Sequence, residues 1–282
     1  MNTTLFSQMM SRYSIVTRED QINATHEVMQ QIVLAGLYRG GFFNKAAFYG
    51  GTCLRIFYGL DRFSEDMDFS LLESDDSFQL ENYFDSIMDE FSLHGRKVAI
   101  TKKEKRSETN IESAFLKDNT EIYDLYFTTE KQIKIKIEID KNPPLGFETD
   151  YKLLLLPFSF MVNCYTLPNL YAGKIHAFLF RKWNKRVKGR DWYDFEWYCR
   201  NQTSLNFKHL QNRTLQINKI ATDDFSFEFF KSMMKERIER TDINLVKNDV
   251  RPFIKNQQPL DIWSQEYFIK LVDLIKIENI KF

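Results

Sequence analysis

The stretch from Ala46 to Leu72 constrains the fold of this chain more than any other. A short apolar run, Ala46 to Tyr49, reads as a strand that ends in Gly50-Gly51. Thr52 to Tyr58 has the length of a compact helix closed near Gly59, and Asp66 to Leu72 alternates polar with apolar residues. A period of two puts Asp66, Asp68 and Ser70 on one strand face and Met67, Phe69 and Leu71 on the other, so one face is carboxylate and the other core. Strand, glycine pair, short helix and carboxylate strand form one compact unit in which four local features agree.

That unit carries a chemical expectation. Two aspartates two apart on a strand have Cα atoms ~6.5 Å apart, and their charges repel unless a cation lies between them. With no Cys or His cluster nearby, the oxygen-only donor set suits a hard ion, Mg²⁺ or its substitute Mn²⁺, which takes further oxygens from substrate phosphates. Gly50-Gly51 sits where a side chain would block backbone approach. Thr52 opens the following helix with a hydroxyl and free N–H groups, which makes the junction a phosphate cradle. Arg62 and Ser64 add a cation and a hydroxyl, so a nucleoside triphosphate is the implied ligand. A third carboxylate on a neighbouring strand completes a two-metal site, in which one ion activates an attacking hydroxyl and the other neutralises leaving pyrophosphate. Glu138 is the choice, with Asp140 on the same face as the alternative.

The rest of the chain supplies the frame. Thr17, followed by Glu19 and Asp20, caps a helix in which Ile22, Met29, Ile32, Val33 and Leu37 repeat at helical spacing up to Gly40-Gly41. Phe78 to Phe91 reads as a second amphipathic helix stopped by Gly95. Strands are expected at 97–106, 110–116 and, most cleanly, Ile133 to Asp140, where four isoleucines alternate with Lys134, Lys136, Glu138 and Asp140. Leu153 to Phe160, broken by Pro157, is apolar but of undecided type. From about Asn169 helices take over, at 169–183, 190–200, 206–218, 223–240 and 262–277. The fold class is therefore α+β followed by an all-helical half, with a nucleotide-handling domain over 1–165 and a helical domain over 166–282.

Composition excludes several classes. Thirty-nine basic residues balance thirty-nine acidic ones, so any nucleic-acid contact must come from a local patch. Three dispersed cysteines, Cys53, Cys164 and Cys199, fit a reducing cytosol and give no metal spacing, and neither do the four histidines. The N-terminus lacks a secretory pattern and no apolar run reaches the ~18 residues of a membrane span, so a cytoplasmic protein without membrane contact is expected. The local patch is the stretch from Lys174 to Asp194. Lys174 and Arg181 share a helix face, basic residues surround Gly189, and Trp183, Trp192, Tyr193 and Trp197 are interleaved, which offers phosphate contacts and base stacking or, equally, a solvated basic loop over core aromatics.

Phe48 to Arg55, Arg62 to Ser70, Lys174 and Lys188 to Asp194 together resemble, in order and spacing, the AbiEii/AbiGii toxins of bacterial type IV toxin–antitoxin and abortive-infection systems. The likeness spans roughly residues 45–200, and Asn248 to Ile254 is similar to a further family segment. The resemblance implies a mixed-sheet, DNA polymerase β-like nucleotidyltransferase domain joined to a helical domain, with the active site between them. It implies that Ser64, Asp66, Lys174 and Asp191 occupy the positions tied to activity, with Asp66 and Asp68 as metal ligands. Lys174 then contacts the triphosphate, and Asp191 or Asp194 is the second acidic position, one of them orienting Lys174. It also implies transfer of a nucleotide from an NTP, in some relatives to the 3′ end of tRNA, and opposition by a separately encoded antitoxin.

Three competing readings follow. A glycosyltransferase also uses Asp-x-Asp but places a larger α/β unit before it, and only 65 residues precede Asp66. A nucleotidyltransferase acting on a protein or small molecule would share the same core and differ in acceptor. A non-catalytic RNA- or protein-binding module on the same fold is countered by the retention of Gly50, Gly51, Asp66, Asp68 and an available third acid.

Overall fold

The carboxylate strand lies at the centre of a seven-stranded mixed sheet in the computed structural model, which describes residues 4–103, 120–128, 133–144, 146–181 and 187–278. The chain enters through α1 (Leu5–Met10) and α2 (Arg18–Arg39). A reciprocal Thr17–Asp20 capping box starts α2, as the sequence pattern requires. Then come β1 (Ala46–Tyr49), α3 (Gly50–Tyr58) and β2 (Met67–Leu71), the unit expected from sequence. They are followed by α4 (Phe84–Leu93), β3 (Val98–Lys102), β4 (Thr120–Phe127), β5 (Lys134–Asp140), β6 (Thr149–Leu154) and β7 (Phe160–Tyr165).

The sheet order is β3-β4-β5-β2-β1-β7-β6. Strand β2 runs antiparallel to β1 and parallel to β5, and β1 is parallel to β7. One face carries Phe48, Met67, Phe69, Ile135, Ile137 and Ile139, all fully buried beneath α2 and α4. Burying each such side chain contributes roughly 1.5–3 kcal/mol, so the apolar half of the alternation anchors the sheet and leaves the polar half facing the other way. Gly36 lets α2 and α4 approach closely, since a Cβ there would lie 2.7 Å from Ile87 Cα.

Helices α5 (Leu167–Phe180) and α6 (Gly189–Arg200) come next, then β8 (Ser204–Leu205), α7 (Phe207–Asn218), α8 (Phe227–Glu239), α9 (Ile243–Val250), α10 (Gln265–Asp273) and β9 (Lys276–Ile277). The molecule is thus α+β with a helical second half, which among the described residues is interrupted only by the short parallel pairing of β8 with β9. The undecided stretch around Pro157 resolves into β6, a turn and β7. Strand β4 and helix α9 have no counterpart in the sequence-derived elements, and the strand expected at 110–116 lies outside the described residues. No described helix is long and apolar enough to cross a membrane.

Candidate active site

The polar face of the sheet and helices α5, α6 and α7 enclose a cleft of about 510 Å³, within the ~300–1,000 Å³ usual for small-molecule sites. Its floor is set by strand register. Parallel pairing places Glu138 directly beside Asp68, and Asp140 beside Ser70, one step further along the strands. Of the two sequence alternatives for the third carboxylate, Glu138 is therefore the one in line with Asp68. Asp140 accepts a hydrogen bond from the Asn142 backbone N–H.

Negative charge on this floor is incompletely compensated. Burial first, then Glu138 and Asp66, push the Asp68 carboxyl up to about 7, against the opposing pull of Lys174 and Lys136. The side chain of Glu138 is engaged by Lys136. Among the described residues no three His, Cys, Asp or Glu side chains gather closely enough to hold a metal unaided. A hard cation here would have Asp66 and Asp68 as ligands and would draw the others from water or phosphate.

The glycine pair does two different jobs. Gly50 has φ +82°, and a Cβ there would collide with the Asp68 carboxylate, so both backbone and space demand glycine. A Cβ at Gly51 would lie 2.8 Å from Ser64 Oγ, 3.0 Å from an Arg62 nitrogen and 3.5 Å from Lys174 Nζ, which makes Gly51 the meeting point of the polar groups. Thr52 is placed differently from expectation. It is fully buried inside α3 and outside the cleft lining, and its hydroxyl donates to the Asp66 carbonyl and pairs with Ser64 Oγ at 3.0 Å. That hydroxyl holds Ser64 and Asp66 on the approach to β2 and does not face the cleft. Gln30 of α2 braces the same approach, its Nε2 donating to the carbonyls of Ser64 and Glu65.

The helical wall brings in distant residues. Arg62 is 2% exposed and its Nε and Nη2 donate to the two oxygens of Asp194 at 2.6 and 2.7 Å. Its third nitrogen donates to the Phe63 carbonyl, so Arg62 is a committed structural cation more than a free one. Lys174 Nζ lies 2.7 Å from Asp194 Oδ2, which makes Asp194 the acid that orients both cations. Asp191, in the first turn of α6, instead pairs with Arg181 Nη1 at 2.8 Å. The N-terminus of α6 is held by α9: the Gly189 N–H donates to Asp249 Oδ2 at 2.7 Å, and a Cβ at Gly189 would run into the Val246 carbonyl. Gly189→Ala is expected to cost about 1–3 kcal/mol by overpacking, despite Ala's better helix propensity. A lower urea midpoint would show it, and an unchanged one would mean α9 yields.

Of the two alternatives for the aromatics of the basic stretch, core packing is the one found for Trp192, Tyr193 and Trp197. Trp192 is fully buried against Phe178 and Phe268, Tyr193 and Trp197 are 5% exposed, and the Tyr193 hydroxyl donates to Asp61. Their spacing reflects core packing, so they present no face for base stacking; Trp183 lies outside the described residues. Lys188 and Arg190 do line the cleft, with Arg190 held by Glu65 and the Phe253 ring. Sequence reasoning missed other lining residues, among them Tyr49, Lys136, Asn169, His176 and Arg213. Lys136 had a signal, its adjacency to Glu138 on an alternating strand, whereas a lone Arg213 on α7 has none.

The model of the nucleotidyl transferase AbiEii toxin family, Type IV TA system, matches residues 32–267. Among solved structures, JHP933 from Helicobacter pylori is similar at a TM-score of 0.50 and 17% identity, over 92% of this chain and 90% of that one. A second H. pylori protein, described as a candidate nucleotidyltransferase, gives a TM-score of 0.47 at 17% identity over 91% of this chain and 92% of that one. No curated protein matches. With the family model spanning most of its length, cleft and helical wall included, the chain belongs to the AbiEii nucleotidyl transferase toxin family of type IV toxin–antitoxin systems.

Proposed function

We propose that the protein transfers a nucleoside monophosphate from an NTP to a hydroxyl at the 3′ end of an RNA, with tRNA as the acceptor, releasing pyrophosphate. The observation that carries this reading is the convergence of Asp66 and Asp68 with Gly51, Ser64 and Lys174 on one cleft. A nucleotidyl transfer needs a cation site and a triphosphate cradle side by side, and these residues supply both.

The donor set fits Mg²⁺, with Mn²⁺ as a substitute. Two carboxylates on one cleft, Asp68 destabilised by burial and by its acidic neighbours, close to a glycine cradle that any side chain would fill, suit a hard ion that arrives with phosphate oxygens. Asp66 and Asp68 would hold it and Glu138 would join them; when bound, the ion supplies charge neutralisation at the transferring phosphoryl group. The protein's own groups do the rest. Lys174, oriented by Asp194, faces the triphosphate beside the Gly51 backbone and Ser64. Arg62 fixes Asp194, and Arg181 with Asp191 borders the same end of the cleft. Residues 1–165 act as the nucleotidyltransferase domain and 166–282 as the helical domain that closes the site.

Lys188 and Arg190 on the cleft support a polyanionic acceptor, now on charge alone, since the tryptophans are core. A cognate antitoxin encoded nearby and action in the cytoplasm complete the reading. Incubating the purified protein with labelled NTPs, Mg²⁺ and total RNA is expected to label the tRNA band. Asp66→Ala is expected to reduce labelling by roughly 10³-fold, because several kcal/mol of charge stabilisation are removed. Labelling that persists in the variant sinks the mechanism, and label found only on protein or a small molecule sinks the acceptor.

A further inference from the structure

Strand β5 presents Lys136 and Glu138 to the cleft, and parallel pairing with β2 sets Glu138 beside Asp68, which leaves Lys136 level with Asp66 just outside the strand's start. The ammonium of Lys136 therefore lies within electrostatic reach of three carboxylates, Glu138, Asp66 and Asp68. It contacts Glu138, and its side chain is 30% exposed against 15% for that of its partner. Burial opposes its charge, and Glu138, Asp66 and Asp68 more than offset that. Neighbouring cations have acids of their own: Lys134 reaches Asp124 at 3.4 Å, and Lys174 is held by Asp194. Lys136 shares its acids with the site where a divalent ion is expected.

We propose that Lys136 is an internal counterion that masks Glu138, the third carboxylate, in the substrate-free protein and releases it when a divalent cation enters between Asp66 and Asp68. The inference rests on the nucleotidyltransferase reading for what the cation is needed for, and on the Lys136–Glu138 contact for the mask itself. An ammonium and a divalent ion cannot share one carboxylate cluster without strong repulsion, because like charges a few ångströms apart in a partly desolvated cleft interact far more strongly than in water. Binding of the free ion is therefore penalised by displacement of Lys136. A nucleotide relieves the penalty twice over, by bringing phosphate oxygens as ligands and by offering the displaced ammonium a new anion. The consequence is a site that assembles fully only when ion and nucleotide arrive together, with Lys136 exchanging one anionic partner for another.

The test needs no turnover. Mn²⁺ binding to the nucleotide-free protein, followed by electron paramagnetic resonance, is expected to tighten about tenfold or more in Lys136→Met, since one positive charge is removed beside a divalent ion. Adding Glu138→Gln to that variant is expected to abolish most of the gain, because the gain comes from the freed carboxylate. Lys136→Gln repeats the measurement if the Met variant does not fold, with thermal melting as the check. Unchanged or weaker Mn²⁺ binding in both variants overturns the mask, and so does a gain that survives Glu138→Gln. Nucleotide transfer by the wild-type protein is measured alongside. Transfer without a gain in Lys136→Met removes only this inference, whereas a gain without transfer removes only the enzymatic reading.

Discussion

Replacing Asp68 by Asn is expected to stabilise the metal-free protein while reducing nucleotide transfer by roughly 10³-fold, two effects of opposite sign from one residue. The first follows from the electrostatics of the floor. Burial, with Glu138 and Asp66 adding to it, raises the Asp68 carboxyl from 3.8 to about 7. A group whose folded value lies above its unfolded one contributes its stability at low pH and loses it as pH rises through the folded value. For Asp68 the contribution is complete below about pH 4 and fades up to about pH 7, so at pH 8 the folded protein holds an unfavourable charge. Asn keeps the shape of the protonated form without that charge, and a gain of roughly 1–3 kcal/mol at pH 8 is the expected size. Urea unfolding in a chelator at pH 5 and pH 8 measures it: the variant's advantage should be large at pH 8 and shrink towards pH 5. Destabilisation at pH 8 would show that Lys136 and Lys174 already satisfy Asp68. Stability given up at the very group that would hold a cation is what a functional carboxylate is expected to show.

What the sequence revealed and what it hid divide along sequence distance. Gly50-Gly51 and Asp66 to Asp68 are legible because turn chemistry and a period of two act over a few residues, and the β1–α3–β2 unit forms where the pattern puts it. The choice between Glu138 and Asp140 is not legible, because both sit on the same face of β5. Only the parallel register between strands some 70 residues apart decides which stands beside Asp68. Helix α6 misleads for another reason. Its charges suggest a solvated face, yet Asp191, Asp194, Glu196 and five aromatic neighbours are all buried. Buried charge is rare and composition cannot reveal it, since what makes it tolerable is a partner such as Arg62 that comes from another element. Strand β4 escaped although Tyr123, Leu125 and Phe127 alternate with Asp124 and Tyr126, an interval that is plain once the inner three are seen to be buried.

The Arg62–Asp194–Lys174 cluster makes the second large prediction, because it joins the strand side of the cleft to the helical side through one buried carboxylate. Asp194 is fully buried, and Arg62 and Lys174 have side-chain exposures of 2% and 18%. Burial alone would raise the Asp194 carboxyl, but Arg62 and Lys174 outweigh it and hold it at about 2. With the folded value below the unfolded 3.8, its contribution is present above about pH 4 and is lost as pH falls towards 2, the reverse of Asp68. Asp194→Ala leaves a buried guanidinium without a counterion, and a loss of about 3–5 kcal/mol at pH 7 is expected in urea unfolding. A second substitution separates structure from chemistry. Pairing Asp194→Leu with Arg62→Met removes both buried charges together, and an apolar replacement of a buried pair is often neutral or stabilising, so most of the lost stability should return. Transfer should not return, because Lys174 then has no acid to orient it towards the triphosphate. If activity recovers along with stability, Asp194 serves the fold alone and Lys174 finds its position without help.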